Sequence, residues 1–408
     1  SDEFLIANTD DSCRMLVNNR TYRGNMRIAI WNGSLVCVNV LPIEEYLWGV
    51  VPGEVPNQWH IEVLKAQAVA ARTYSLRALE QYPDRPFDVY STVIDQAYEG
   101  AGWERESTTR ACSETFGEVC VFNGTPIIAY YHAASGGWTA SGWEMFGHDL
   151  PYLCPVQSRD SNVHRWVYRI SPTELASALN RAGYSVGNIQ RVWVHRFSYE
   201  GRADEVKIVH SSGVLLISGA ELRPILGPAN IKTTYFTVEG QTAPEIPNTP
   251  NSGIGRTGSF PEKYSLANSQ VLVPLPKPLR LSSWCVITGH GLQERNSIKV
   301  IGCDDSTEYI DGYVWTAEPS RAGNPLSNPA GLPRSEFVFF GSDETDVIED
   351  PGENIGIPIN GMIVFKGTGM GHGVGMSQHG ARILAESGWK YTEILTYFYT
   401  GIDINRFY

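Results

Sequence analysis

Apolar and polar residues alternate along residues 13–42, in segments such as MRIAIWN and LVCVNVLP. Alternation with a period of two predicts short antiparallel strands, and Asn32–Gly33 predicts a tight turn between two of them. The PIEEYLWGVV segment that follows predicts a short helix. Residues 60–81 predict a longer helix, because apolar side chains recur there on one helical face: Leu64, Ala68, Ala71 and Leu76.

The pattern next predicts a helix, a strand, an Asn-Gly turn at residues 123–124 and a second strand that runs into a Ser-Gly-Gly loop. The segment SPTELASALNRAG predicts a capped helix. Ser171 is its N-cap, Pro172 its first residue and Glu174 the reciprocal capping residue, and the glycine at its end stops it. Residues 189–238 predict several strands and one short helix near SGAELRPILG.

The composition changes near residue 240, where EGQTAPEIPNTPNSGIGRTGSFPE is rich in Pro, Gly, Thr and Asn, as is typical of a linker or an extended excursion. Residues 241–360 predict an insertion of unknown role, β-rich or irregular, with strands near SQVLVPL and EFVFFG. Regular secondary structure is predicted again from residue 361, as a strand, a glycine-rich turn and a helix. We therefore predict an α+β fold of mixed, mostly antiparallel sheets with a few helices around a substrate groove. Its single domain is formed by residues 1–240 and 361–408.

Charge and composition narrow the classes of function. The 408 residues carry a net charge of −12, and an acidic chain lacks the broad basic surface that nucleic acid requires. No segment approaches the length of about 18 consecutive apolar residues that a membrane span needs, and no signal peptide is recognisable. Aromatic residues make up 11%, which suits a sugar-binding groove or a β-rich core. Seven cysteines occur without a CxxC, and three local pairings stay open: Cys13–Cys37, Cys112–Cys120 and Cys285–Cys303.

The segment GVVPGEVPNQW, residues 49–59, places one carboxylate, Glu54, among two prolines and two glycines. Proline fixes φ and glycine frees it, so we predict a rigid turn immediately before the longer helix. Two interpretations stay open. Glu54 is either a helix-start carboxylate stabilised by the helix dipole or an acid held for chemistry. In the second case an apolar setting would raise its pKa, and a facing Lys65 or Arg72 would favour the carboxylate.

Two glycine-rich segments are further candidate sites. GTGMGHGVGMSQHGA, residues 367–381, lacks the signatures of a P-loop, a dinucleotide fold and HExxH, and predicts a tight turn with His372 facing a cleft. HAASGGWT, residues 132–139, predicts a nest of backbone N–H groups for an anionic or carbonyl group. A metal pair of His372 and His379, and acyl transfer by a serine of either segment, are rival interpretations, although neither serine lies in GxSxG.

These segments, in this order, resemble the SpoIID/LytB family, which includes the sporulation protein SpoIID and amidase enhancers. The resemblance is carried by LPIEEYLWGVVPGEVPNQWHIEVLKAQAVAARTY, AYYHAASGGWTASGWEMFG, PYLCPV, SGAELRPILG, IKTTYFTV and GTGMGHGVGMSQHGA. It implies an extracytoplasmic protein of the cell envelope that binds peptidoglycan glycan strands. The activity it implies is lytic transglycosylation of strands stripped of stem peptides, which leaves 1,6-anhydro-MurNAc ends. The alternative is a non-catalytic module that enhances an N-acetylmuramoyl-L-alanine amidase, its partner.

The resemblance also implies roles for individual residues. Glu54 matches the catalytic acid/base, which can act alone because the sugar's own 6-hydroxyl, and not water, attacks C1. For a hydrolase, Glu44, Glu45 and Asp95 are candidate second carboxylates, with the two glutamates expected on a solvated helix face. The expected substrate-binding residues, among which Lys65 and Arg72 match basic positions inferred to orient substrate, are Lys65, Gln67, Arg72, Tyr74, His132, Ser135, Gly136, Gly137, Thr139, His372, Gly373, Val374, Gly375 and Gln378.

No cofactor is expected. Some relatives carry zinc near the Ser-Gly-Gly loop through His and Cys. Here His132 is present, but no cysteine follows within the loop, so Glu144 and His148 would have to complete the ligand set. Zinc is therefore the minority interpretation, and a metal or nucleotide enzyme built on the glycine-rich loop is the remaining class.

Overall fold

A computed structural model describes residues 4–7, 14–32, 34–79, 85–242, 244 and 355–408, and the backbone of three further strands. The helices in this part of the chain are α1 Ile43–Glu54, α2 Ile61–Ala78, α3 Glu106–Glu114, α4 Gly142–Phe146, α5 Pro172–Arg181, α6 Gly219–Leu226, α7 Gln378–Glu386 and α8 Tyr391–Phe398. The strands are β1 Phe4–Ile6, β2 Met15–Val17, β3 Arg20–Tyr22, β4 Asn25–Trp31, β5 Ser34–Pro42, β6 Val89–Tyr90, β7 Glu118–Phe122, β8 Thr125–Pro126, β9 Tyr131–His132, β10 Trp166–Ile170, β11 Ile189–Phe197, β12 Ala203–His210, β13 Gly213–Ser218, β14 Phe236–Val238, β15 Trp284–Thr288, β16 Arg295–Ile301, β17 Thr307–Val314, β18 Ile363–Gly367, β19 Met376–Ser377 and β20 Asp403–Arg406.

The strands form small open sheets. Their orders are β1-β4-β5-β15-β6, β17-β16-β2-β3, β10-β18-β14, β11-β12-β13, β20-β7-β8 and β19-β9. Neighbours are antiparallel in all these sheets except for the parallel pairs β15–β6 and β9–β19. Helices accompany several sheets, so the predicted α+β class is confirmed. None of the helices in the described ranges is long and apolar enough to cross a membrane.

Helix α2 lies between two hydrophobic cores. Leu64, Ala68 and Ala71 pack into the first core with α1 and the amino-terminal sheet. Val63 and Ala66 pack into the second core, which also contains residues of β7, α7 and α8. Small side chains on both sides allow the neighbouring elements to approach this helix closely, so α2 is buried along most of its length. A third core is built from residues of β10 to β14 and β18.

The structure confirms several elements that local sequence signals predict. The helix predicted over residues 60–81 is α2, with the ring of His60 accepting the N–H of Glu62 at its start. The capping box of Ser171 and Glu174 is present at α5. The hairpin β4–β5 turns at Asn32, whose φ is 51°.

The predicted cysteine pairings and the predicted insertion have other outcomes. Cys37, Cys112, Cys120 and Cys154 are free thiols, so Cys112 and Cys120 do not pair. The side chains of Cys13, Cys285 and Cys303, and the strands predicted at SQVLVPL and EFVFFG, lie outside the described residues. Strand β14 precedes the predicted insertion and β18 follows it, and the two are antiparallel neighbours. The boundaries at 241 and 360 stay predictions.

The rigid turn predicted at residues 49–59 is wrong for residues 49–54, because α1 continues to Glu54, whereas residues 55–60 form a non-helical connection before α2. Its two glycines are close-packing positions rather than turn positions. A Cβ atom on Gly49 would lie 2.6 Å from Cε2 of Tyr98, and one on Gly53 would lie 2.9 Å from the carbonyl oxygen of Ala97. The glycines therefore let the segment 97–100 lie directly against α1.

Candidate active site

Glu54 is the last residue of α1, where the helix dipole disfavours a negative charge. Its Oε1 accepts the backbone N–H of Ala97 at 2.8 Å, a contact that Gly53 makes possible. Its Oε2 accepts the side-chain amide of Gln378 at 3.3 Å. Burial raises the pKa of Glu54, and hydrogen bonds from Ala97, Gln378 and Tyr131 offset only part of that rise. Burial therefore shifts the equilibrium of Glu54 toward its protonated form, and the place of Glu54 at the end of α1 contradicts the helix-start interpretation.

The groups around Glu54 come from α2, β9 and α7. The amide nitrogen of Gln378 lies 3.4 Å from Oε1 of Gln67. The side-chain nitrogen of Gln67 and the hydroxyl of Tyr131 are buried and have no hydrogen-bond partner of regular geometry in the described residues. Burial, and then the charge of Glu54, raise the pKa of Tyr131 well above its usual value, so its hydroxyl remains a donor. The side-chain nitrogen of Gln67 is available to a ligand oxygen.

Arg72 does not face Glu54. Its Nε lies 2.7 Å from Oε1 of Glu44 and its second terminal nitrogen 2.8 Å from Oε2, a bidentate ion pair in which Arg72 is fully buried and Glu44 largely so. Further bonds join Arg72 to the carbonyl oxygen of Glu118 and join Glu44 to the hydroxyl of Tyr408. The expectation that Glu44 lies on a solvated face is therefore wrong, because it is the counter-ion of a buried arginine.

Lys65 is also directed elsewhere, with its Nζ 2.6 Å from Oε2 of Glu114. The hydroxyl of Tyr74 donates to Asp95 at 2.7 Å, and Asp95 also accepts the backbone N–H of Tyr90. Among the predicted residues on α2, Gln67 contacts the group around Glu54 through its hydrogen bond to Gln378.

The Ser-Gly-Gly loop forms the predicted nest of N–H groups, but the anion in it is a side chain of the protein. Asp160 accepts the backbone N–H groups of Ser135 at 2.8 Å and Gly137 at 2.9 Å. It also accepts the hydroxyls of Ser135, Ser158 and Ser377. Burial alone would raise the pKa of Asp160, yet the hydrogen bonds from Ser158, Ser377 and Ser135 hold it below the ordinary value of 3.8. The nest is therefore filled internally.

Replacing Asp160 with asparagine is expected to lower the free energy of unfolding by roughly 3 kcal/mol at neutral pH, because several charge-assisted hydrogen bonds lose their anion. Urea denaturation of the variant and the wild type measures the difference. The pKa of Asp160 is lowered by folding. Its contribution to the free energy of unfolding is therefore present above pH 3.8 and is lost as the pH falls through the lower pKa of the folded state. A difference that stays constant below pH 3.8 would contradict this role.

The two predicted glycine-rich loops are packed against each other. Ala134 and Met370 exchange backbone hydrogen bonds of 3.0 and 2.7 Å. A Cβ atom on Gly373, where φ is 86°, would lie 2.7 Å from a terminal nitrogen of Arg202. Thr139 and Val374 are buried, and the hydroxyl of Thr139 accepts the N–H of Val156 at 2.8 Å. Several of the predicted binding residues thus build the loops themselves.

His132 and His372 lie side by side, with ring centroids 5.5 Å apart. Nδ1 of His132 donates to the carbonyl oxygen of Val374 at 3.1 Å, and Nδ1 of His372 accepts the N–H of the same residue. Burial lowers the pKa of His132 to about 4 and that of His372 well below its usual value. Both rings are therefore neutral at physiological pH.

No group of three His, Cys, Asp or Glu side chains suited to hold a metal ion occurs in the described part of the chain. His132, Glu144 and His148 accordingly do not form the ligand set considered for zinc, and His148 is exposed. Glu144 is instead a separate carboxyl group whose pKa burial raises to about 7. His379 packs edge-on against Trp59, with ring centroids 5.0 Å apart.

Strand β9 connects the two halves of the site. Tyr131 is close to Glu54 and His132 contacts His372, and consecutive residues of a strand point to opposite faces. The parallel pairing of β9 with β19 then positions Gln378, the next residue along the chain. Tyr131 and Asp160 were missed in the sequence. Tyr131 adjoins a predicted site residue, whereas the segment around Asp160 carries no local signal.

Comparison with known proteins shows which proteins this chain resembles. Residues 31–122 match the family model of SpoIID, described as Stage II sporulation protein. The chain is 32% identical over 242 residues to an uncharacterized protein of Brachyspira hyodysenteriae, covering 58% of this chain and 64% of that protein.

Two relatives from Bacillus subtilis have descriptive names. The amidase enhancer is 26% identical over 376 residues, which cover 88% of this chain and 40% of that protein. Stage II sporulation protein D is 30% identical over 146 residues, 32% of this chain and 43% of that protein. The alignments thus cover between 40% and 64% of these three relatives. The resemblance to the SpoIID/LytB family is confirmed.

Proposed function

We propose that this protein acts on the cell wall as a lytic transglycosylase of peptide-free peptidoglycan glycan strands, outside the cytoplasm. The observation that carries the proposal is the setting of Glu54. A carboxyl group with a raised pKa lies at the end of a helix, no cation of the described residues forms an ion pair with it, and the buried side-chain nitrogen of Gln67 near it has no partner in the described residues. This setting suits an acid that must hold a proton near neutral pH.

The reaction needs one carboxyl group in two successive roles. Protonated Glu54 first gives its proton to the glycosidic oxygen, and the bond from C1 of MurNAc to that oxygen breaks. The resulting carboxylate then takes the proton of the MurNAc 6-hydroxyl, whose oxygen forms the new bond to C1 and closes the 1,6-anhydro ring. Hydrogen bonds from Ala97, Gln378 and Tyr131 stabilise the carboxylate between the two steps, and the second step restores the acid.

The other candidate carboxylates have different partners. Glu44 is bound to Arg72, and Asp95 accepts hydrogen bonds from Tyr74 and Tyr90. A hydrolase would require a second carboxylate, either to activate water as a base or to attack the sugar as a nucleophile. Mass spectrometry of digested peptide-free glycan strands separates the reactions, because a transglycosylase leaves 1,6-anhydro-MurNAc ends and a hydrolase leaves reducing ends.

The second candidate function is enhancement of a cell-wall amidase, which is favoured by the similarity to the amidase enhancer. The amidase would be a binding partner, and the site around Glu54 would hold glycan without cutting it. Amidase activity measured with and without the purified protein tests this function. An enhancer that only binds should keep its effect when Glu54 is replaced by glutamine.

Replacing Tyr131 with phenylalanine is expected to raise the pKa of Glu54, because one hydrogen bond that favours the carboxylate is lost. The reaction requires the protonated acid, so the rate falls as the pH rises through this pKa. The alkaline limb of the kcat/KM profile should therefore move to higher pH, and kcat should fall roughly 10-fold for about 1.4 kcal/mol of lost stabilisation.

The matched control is Tyr397→Phe, since that hydroxyl donates to the carbonyl oxygen of Gln157. Its pH profile should overlay that of the wild type. A Tyr131→Phe profile that moves to lower pH, or does not move, would contradict the role of Tyr131 as a donor to Glu54.

A further inference from the structure

Four half-buried aromatic side chains are in contact with one another and form what we call the aromatic strip: Tyr74, Tyr130, Phe146 and His372. The centroid of the Tyr130 ring lies 6.3 Å from that of Tyr74 and 4.7 Å from that of Phe146. The ring of His372 lies 5.7 Å from that of Tyr130 and 5.3 Å from that of Phe146. Neighbouring rings that all remain partly accessible to water are typical of a binding surface.

The backbone fixes the two central rings of the strip. The carbonyl oxygen of Tyr130 accepts the N–H of Met376 at 3.0 Å. This close approach requires Gly375, where φ is 72° and a Cβ atom would lie 2.0 Å from the same oxygen. Phe146 is the last residue of α4, and the next residue, Gly147, ends this helix with a φ of 71°. Because the fold sets these positions, a ligand that covers the rings has little to reorganise.

The strip is continuous with the surroundings of Glu54. The hydroxyl of Tyr74 donates to Asp95 at 2.7 Å, and two positions after Asp95 the N–H of Ala97 donates to Glu54 at 2.8 Å. Gln67, which contacts the group around Glu54, lies on the same face of α2 as Tyr74, two helical turns or roughly 10 Å before it. A chain of linked sugar rings that reaches Glu54 can therefore continue over the strip.

The chemistry of the strip suits the faces of sugar rings. A pyranose ring presents C–H bonds on one face, and the slightly positive hydrogens of these bonds pack against the negative face of an aromatic ring. The four rings carry no charge at neutral pH, because burial keeps the pKa of His372 well below its usual value. A charged ligand would find no counter-ion among them, whereas an uncharged sugar ring needs none.

We propose that the aromatic strip, with Tyr130 and Phe146 at its centre, binds sugar rings of the glycan strand beyond the bond that Glu54 cleaves. The strip joins two predicted substrate-binding residues, Tyr74 and His372, through two residues that were not among those predicted. The protein then binds long strands more tightly than short fragments, because only a long strand covers both Glu54 and the strip. The identity of the strand as peptidoglycan rests on the proposed function, whereas recognition of sugar faces does not.

The first test is calorimetric titration of the full chain carrying Glu54→Gln with the hexamer of GlcNAc, which presents pyranose faces without lactyl groups. We add Tyr130→Leu or Phe146→Leu, since leucine keeps an apolar side chain and removes the flat ring. Each change should weaken binding about 3- to 10-fold, the size expected for a lost aromatic contact. Tyr130→Phe should restore it. The control Phe116→Leu, at an exposed ring outside the strip, should bind like its parent.

Unchanged affinity in both leucine variants would overturn the proposal, and so would a hexamer that does not bind the Glu54→Gln protein. A second measurement does not depend on the folding of either leucine variant. Nuclear Overhauser contacts between the sugar C–H protons and the ring protons of Phe146 should appear in the Glu54→Gln protein saturated with hexamer. Their absence would also overturn the proposal.

Kinetics with long peptide-free peptidoglycan strands separate this proposal from the proposed function. In Phe146→Leu the KM should rise while kcat changes little, because the strip does not touch the reacting atoms. Cleavage with an unchanged KM would mean that the strip is wrong and the proposed function stands. Binding of the GlcNAc hexamer to the strip without any release of 1,6-anhydro ends would mean the reverse.

Discussion

Replacing Glu54 with glutamine is expected to lower the rate of 1,6-anhydro product formation roughly 1,000-fold, because a positioned acid/base contributes factors of this order. Glutamine has a similar shape and can still occupy the position between Ala97 and Gln378. It cannot give a proton to the glycosidic oxygen or take one from the 6-hydroxyl. Mass spectrometry of products from peptide-free glycan strands, quantified over time, measures the loss.

The stability of the same variant separates lost chemistry from lost folding. Folding raises the pKa of Glu54 above its ordinary value of 4.5. The favourable contribution of Glu54 to the free energy of unfolding is therefore complete below pH 4.5, and it is lost as the pH rises through the pKa of the folded state. The variant should therefore be at least as stable as the wild type at neutral pH. The control Glu106→Gln, at an exposed glutamate, should keep full activity. Full activity in Glu54→Gln would refute the assignment of Glu54.

Replacing Arg72 with methionine is expected to lower the free energy of unfolding by about 3–5 kcal/mol, because it leaves the carboxylate of Glu44 buried without its cation. The bidentate bonds of 2.7 and 2.8 Å and the complete burial of Arg72 carry this expectation. Urea denaturation followed by circular dichroism measures the loss. The effect is on folding, since Arg72 has no contact with Glu54.

The companion variants decide between a structural role and a role in binding substrate. Replacing both Arg72 and Glu44 with methionine should recover part of the lost stability, because neither partner then remains as an unpaired buried charge. Lys65→Met removes a more accessible ion pair with Glu114 and should change stability little. Unchanged stability in Arg72→Met together with weaker glycan binding would restore the role of orienting substrate.

What the sequence predicts well is local. The start of α5 is specified by Ser171, Pro172 and Glu174, which lie within four positions of one another, and the structure has the same cap. The end of α1 is not local, because its glycines fit against Tyr98 and Ala97, more than forty positions away. Proline and glycine were interpreted as turn signals, and tertiary packing reversed that interpretation.

The same contrast between local and long-range determinants holds for the residues of the candidate site. Glu54, Gln67 and Gln378 belong to recognisable motifs, and the structure brings them together. The partner of Arg72 depends on how α1 packs against α2, which residue types alone do not reveal. Asp160 fills a nest that the sequence left open for a ligand, since nothing in its own segment points to the Ser-Gly-Gly loop.

The hydrogen bond between Glu54 and Gln378 joins residues 324 positions apart. Contacts of such separation cost more chain entropy to form, and they generally form late during folding. A ribosome must make residue 378 before the acid can gain this partner, and β19 must dock on β9 to hold it. The amino-terminal sheets and α1 can therefore fold on a nascent chain that still lacks a complete acid site. Cleavage of glycan would then require that the segment around Glu54 and the segment around Gln378 have both folded and met.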